Sequence, residues 1–66
     1  MKVWKCKDGV VFLNRATAIS YSLEYGLALN SWEASYDCVE RTLTNDCRFA
    51  CMGTYNDVLI FRLLED

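Results

Sequence analysis

Two β-prone runs, Val3-Trp4-Lys5-Cys6 and Val10-Val11-Phe12-Leu13, flank an Asp8-Gly9 pair near the start of the chain. An Asp-Gly step between such runs predicts a β-hairpin closed by a two-residue type I′ turn, because both central positions need a positive φ. Pairing Lys7 with Val10 then opposes Cys6 to Val11, Lys5 to Phe12 and Trp4 to Leu13. In that register Trp4, Cys6, Val11 and Leu13 form an apolar face, expected to be core. Lys5, Lys7, Val10 and Phe12 form a mixed face, expected to point outward.

Beyond the hairpin the period changes from two to that of a helix. Ala16, Ile19, Leu23 and Leu27 recur at helical spacing and fall within about 80° of one another on a helical wheel. Asn14 is a suitable N-cap. Gly26 is a suitable C′ residue, with Asn30 as the later alternative. The expectation is a helix from Arg15 to Tyr25 or Leu29 with the Ala16 stripe on a sheet. A second stripe, Ala18, Tyr21, Tyr25 and Leu29, lies roughly 200–280° round from Ile19 and would be partly exposed.

Residues 31–43 fit two templates. As a strand, Trp32, Ala34, Tyr36 and Cys38 alternate with Glu33, Ser35 and Asp37. As a helix capped by Ser31, Trp32, Tyr36, Val39 and Leu43 form a stripe. The Trp, Tyr, Cys, Val and Thr content favours strand. Thr44-Asn45-Asp46 reads as a turn, Cys47–Met52 as a short strand and residues 53–57 as a loop. Val58–Leu64 is apolar on both faces except Arg62, as a central strand would be. The expected architecture is α+β, a small antiparallel sheet with one packed helix in the order ββαβββ. The rival is the N-terminal hairpin followed by two or three helices.

With 66 residues the chain has room for one domain. At this size folding buries only about 60% of the unfolded surface, so the core leaves a thin stability margin for a strained active site. The sequence has no His, which removes the usual general base near neutral pH and the commonest metal ligand. It holds no nucleophile elbow, phosphate-cradling glycine loop or EF-hand spacing. The expectation is a protein that is not an enzyme and carries no cofactor. Its longest apolar run, Val58–Phe61, is far below the ~20 residues of a membrane span, and Met1–Lys7 lacks the apolar core of a signal peptide. These features point to a cytoplasmic protein without a membrane role.

Four cysteines, Cys6, Cys38, Cys47 and Cys51, raise disulfide and zinc readings. A reducing compartment argues against disulfides. The closest pair, Cys47 and Cys51, is spaced wider than a C-x2-C knuckle and would lie ~13 Å apart on a strand, too far to share an ion. Buried core thiols are the simpler reading, and Cys6 already falls on the expected core face. A small zinc or redox protein using Cys47 and Cys51 remains the competing class.

Charge and aromatics direct the functional reading. Seven basic and nine acidic residues give a formal charge of −2, which disfavours direct nucleic-acid binding. Residues 1–15 are net positive and the rest net negative. Glu33 and Asp37 share a face on either reading of the middle segment, and Glu40 joins them on a helix. Two or three acids are ordinary on a solvated face, but such a row can also steer a basic partner. The chain carries two Trp, four Tyr and three Phe, more rings than a single-layer sheet with one helix can enclose. Tyrosines commonly sit half-buried with wet hydroxyls, yet they are also enriched in interface hot spots. The surplus therefore marks Phe12, Tyr21, Tyr25 and Leu29 as apolar anchors for a partner, with Glu33, Asp37 and Glu40 as steering acids.

In size, mild acidity, lack of a catalytic set and surplus of aromatics, the chain resembles the very small proteins with which phages and mobile elements block host machinery, anti-CRISPR proteins among them. No motif identifies a family. The resemblance implies an inhibitor that occludes a surface of another protein or nucleoprotein complex. An antitoxin-like adaptor and a structural homo-oligomer, including a homodimer, share the same profile.

Overall fold

The hairpin forms, but with a three-residue loop. A computed structural model describes residues 1–64, in which β1 (Lys2–Cys6) pairs antiparallel with β2 (Val11–Phe12), Trp4 opposite Phe12 and Lys5 opposite Val11. The Cys6 amide donates to Val10 O and the Gly9 amide to Cys6 O, both at 2.9 Å, so Lys7, Asp8 and Gly9 make the loop. Gly9 has φ +98°, the conformation that closes a three-residue hairpin and that side chains resist. Asp8 Oδ1 reinforces it by accepting the Val10 amide at 3.1 Å.

One extra loop residue slides the register by one, and with period two that exchanges the faces of the second strand. The expected core face of Trp4, Cys6, Val11 and Leu13 is therefore corrected. Cys6, Val10 and Phe12 are buried together on one side with Trp4 against them. Val3 and Val11 are buried on the other, with Leu13 against them. Phe12, expected outside, is fully buried.

Helix α1 (Arg15–Tyr25) has the expected ends: Asn14 Oδ1 accepts the Thr17 amide at 3.3 Å, and Gly26 is left-handed at φ +64°. Its rotation is not the expected one. Ala18 and Ser22 are the buried positions, whereas Ala16 is exposed and Leu23 is 77% exposed. The reason lies in the surface beneath. Phe12 and Val10 already fill that side of the sheet, so the helix approaches on its two small residues. Ser22 stays satisfied there by donating to Ile19 O at 2.8 Å.

The middle segment is strand, bent once. β3 (Leu29–Glu33) and β4 (Ser35–Asp37) are separated only by Ala34, with Trp32, Ala34 and Tyr36 on the inner face as the alternation predicts. Cys38, expected in that alternation, is exposed in the turn that follows. β5 (Thr42–Thr44), β6 (Arg48–Tyr55) and β7 (Val58–Leu63) complete a seven-stranded antiparallel sheet of order β3-β1-β2-β7-β6-β5-β4. The expected loop at 53–57 shrinks to Asn56-Asp57, whose positive φ values, 50° and 64°, make a tight hairpin turn. β7 is the central strand, as expected.

The mixed α+β class is therefore present, with one helix among the described residues, while the strand order departs from ββαβββ by splitting the middle segment and adding β5. Since β3 and β4 are the two ends of the sheet yet adjacent in the chain, the sheet must curl until its ends meet at Ala34. A bulge between Cys51 and Gly53 on β6 sharpens the curl. Its concave side buries Val3, Val11, Leu43, Phe49 and Phe61 with Ala34. The convex side, at β1 and β2, is covered by α1.

Candidate interaction surface

Only Leu13 and Asn14 separate β2 from α1, so the helix is laid directly over the strand it leaves. Tyr21 lands on Phe12, ring centroids 5.1 Å apart. Tyr25, one turn later, packs on Tyr21 at 4.7 Å. Tyr55, from the end of β6, meets Tyr21 edge-on at 5.2 Å and Phe12 at 6.2 Å. The cluster grades outward from fully buried Phe12, through half-buried Tyr21 and Tyr55, to Tyr25 at 57% exposure. These centroid distances are those of attractive edge and tilted ring pairs.

Two carboxylates fix the hydroxyls. The Tyr21 hydroxyl donates to Asp8 Oδ2 at 2.5 Å, and the Tyr55 hydroxyl donates to Glu24 Oε2. Each bond favours the neutral phenol. The hydrogen bond to Asp8, then burial, pushes Tyr21 up to about 12 from an ordinary 10. The bond to Glu24 does the same for Tyr55, again to about 12. Burial, then the charge of Asp8, raises the Cys6 thiol, which is held as the neutral form. Among the described residues the ion pairs are Met1 N with Glu33 at 3.3 Å and Arg48 with Glu40 at 3.2 Å, so neither Asp8 nor Glu24 is paired to a cation. Arg62 comes near, but its Nη1 reaches the backbone oxygen of Asp8, at 3.4 Å.

The chain matches no family model, no curated protein and no solved structure.

Of the residues singled out in the sequence, the structure brings together Phe12, Tyr21 and Tyr25. Phe12 is the floor of the cluster rather than an exposed anchor. Leu29 is half-buried against the same helix-covered core. The acids lie elsewhere, on the bent strand and its following turn. Glu33 meets the Met1 amino group, Asp37 Oδ1 accepts the Val39 and Glu40 amides at 2.9 and 3.1 Å, and Glu40 meets Arg48. Asp8, Glu24 and Tyr55 were missed, because Asp8 read only as a turn residue and Tyr55 as a loop residue. The available signal was the short Leu13-Asn14 link, which keeps the Asp8 loop within reach of the second helical turn.

The cysteines divide. Cys6 is buried, Cys51 half-buried, and Cys38 and Cys47 are exposed, so the core reading holds fully for Cys6 alone. Cys47 sits in the bend before β6 and Cys51 within that strand, on extended chain. No three His, Cys, Asp or Glu side chains converge on a metal position among the described residues. An open cavity of about 380 Å³ is lined by Asp46, Cys47, Arg48, Leu63 and Leu64. No helix among the described residues is long and apolar enough to cross a membrane.

Proposed function

We propose that this chain is a non-enzymatic protein-binding module that acts by covering a surface of a larger assembly, in the manner of an occluding inhibitor. The observation that supports this reading is the tyrosine cluster: three phenol rings at the surface, held by ring contacts and by two carboxylate hydrogen bonds. Rings fixed before contact lose little side-chain freedom on binding, and tyrosine combines broad apolar area with a polar tip. Tyr25 is the exposed anchor, with Tyr21 as its support. Glu33, Asp37 and Glu40 remain solvent-facing and add a long-range field that steers a basic partner at low ionic strength. The likeness to small phage-borne inhibitors contributes the occlusion mode and says nothing of the partner.

The test is a tagged pull-down from native, nuclease-treated lysate, with the wild type and Tyr25→Ala side by side at low and high salt. A stoichiometric protein captured by the wild type and lost in the variant supports the module. Loss of capture in high salt alone assigns the contact to the acids. Absence of any captured protein counts against the reading.

A further inference from the structure

We infer that the tyrosine cluster receives an arginine side chain of the partner, with the guanidinium against exposed Tyr25 and its charge at Glu24. This deepens the protein-binding reading and rests on it. Tyr25 is 57% exposed, and its contact with the Tyr21 ring, centroids 4.7 Å apart, lies toward the cluster. Glu24 precedes it in the helix, and only Oε2 of its carboxylate is engaged, by the Tyr55 hydroxyl. Oε1 accepts no hydrogen bond from the described residues.

Charge complementarity selects the occupant. Glu33 and Glu40 have cationic partners; Asp8, Glu24, Asp37, Asp46 and Asp57 have none among the described residues, and of these only Asp8 and Glu24 are bonded to the hydroxyls of the ring cluster. A purely apolar partner would strip water from both carboxylates and return nothing, which is costly. A phosphate backbone would be repelled. A guanidinium satisfies both needs at once, since its plane stacks on an aromatic face and its N–H fork matches a carboxylate. Arg62, bonded to the Asp8 carbonyl, limits the site on the hairpin side and leaves Glu24 as the principal anion.

The intact chain is titrated by NMR with a capped peptide carrying two arginines, and separately with its citrulline counterpart, which keeps the shape and loses the charge. The expected result is saturable shifts at Tyr25, Tyr21, Tyr55 and Glu24 with the arginine peptide only. Tyr25→Ala and Glu24→Gln should each weaken binding, by roughly three- to fivefold for the lost ring. Glu24→Gln keeps an acceptor for the Tyr55 hydroxyl, and unchanged Phe12 and Phe61 signals establish that both variants are folded. Equal response to citrulline, no saturable shift, or shifts spread evenly over Glu33, Asp37 and Glu40 would overturn the inference. So would self-association through Tyr25, which sedimentation of the wild type and Tyr25→Ala detects. The pull-down separates the two claims. A partner held equally by wild type, Tyr25→Ala and Glu24→Gln overturns the arginine site and leaves the module standing. Arginine-selective binding with no partner recovered supports the site and counts against the module.

Discussion

The two sides of the sheet bury similar residues for different ends. Within the curl, Val3, Val11, Leu43, Phe49 and Phe61 pack against one another, and the side-chain polarity there is limited to the edges, at Trp32 and Tyr36. Under the helix, Cys6, Val10, Phe12 and Ala18 are as deeply buried, but the packing continues outward through Tyr21 and Tyr55 to the surface. The inner side ends in half-buried side chains such as Leu13, Trp32, Tyr36 and Leu59; the outer side ends in phenols bonded to carboxylates. Polar satisfaction also differs, since both of those hydroxyls have acceptors while buried Trp32 Nε1 has no partner among the described residues. The contrast separates a core that only stabilises from one that also shapes a surface.

The largest effect expected is at Phe61, fully buried at the centre of the curl with its ring 5.9 Å from that of Tyr36. Phe61→Ala should cost about 3–5 kcal/mol, comparable to the whole stability of so small a domain. Urea denaturation followed by tryptophan fluorescence should find it unfolded or nearly so. A mild loss would mean that the inner core is not the main support.

On the helix side Tyr21→Phe keeps the ring and removes the bond to Asp8, for an expected loss of about 1 kcal/mol. The same bond predicts a pH response. With Tyr21 and Tyr55 raised from 10 to about 12, the folded state holds these protons more tightly than the unfolded chain. Their contribution is full below pH 10 and falls away as pH rises from about 10 to about 12. Denaturation midpoints across that window should decline, less steeply in Tyr21→Phe. Ultraviolet titration should show phenols that ionise late.

Trp32→Phe sharpens the contrast from the other side. It loses ring volume but also removes an N–H that has no acceptor, so the two effects should offset to within about 1 kcal/mol. Smallest of all, Tyr25→Ala should change stability by no more than about 0.5 kcal/mol, as for an exposed position. A larger loss would make Tyr25 part of the core and remove it as an anchor.

The helix and the central strand were legible because their signals are local. Asn14 and Gly26 mark the ends of α1 by hydrogen bonding and by conformation, whatever the helix packs on. The helix's facing was not legible, because Ile19 and Leu23 are more hydrophobic than Ala18 and Ser22, yet clearance over Phe12 selects the smaller pair. The hairpin faces were misread for want of one loop residue, and that slip put Phe12 on the surface. Tyr21 and Tyr25 could be recognised as an unusual stripe. The carboxylates that meet the cluster could not, since Tyr55 and Glu24 are joined only by tertiary structure across 31 residues.

The bend at Ala34 divides the sheet into two sets of strands that are connected differently. After it, β4, β5, β6 and β7 pair in simple succession, each with its neighbour in sequence. Before it, β1, β2, α1 and β3 form a unit of their own. Apart from the chain itself and the Met1–Ala34 backbone bonds, what joins them in the sheet is the short ladder of β2 with β7, Val11 opposite Phe61 and Phe12 opposite Ile60. That seam pairs residues about fifty positions apart, the most distant strand pairing among the described residues. The two sets of strands depend on each other at that ladder, where Val11 and Phe61 oppose one another and are both fully buried.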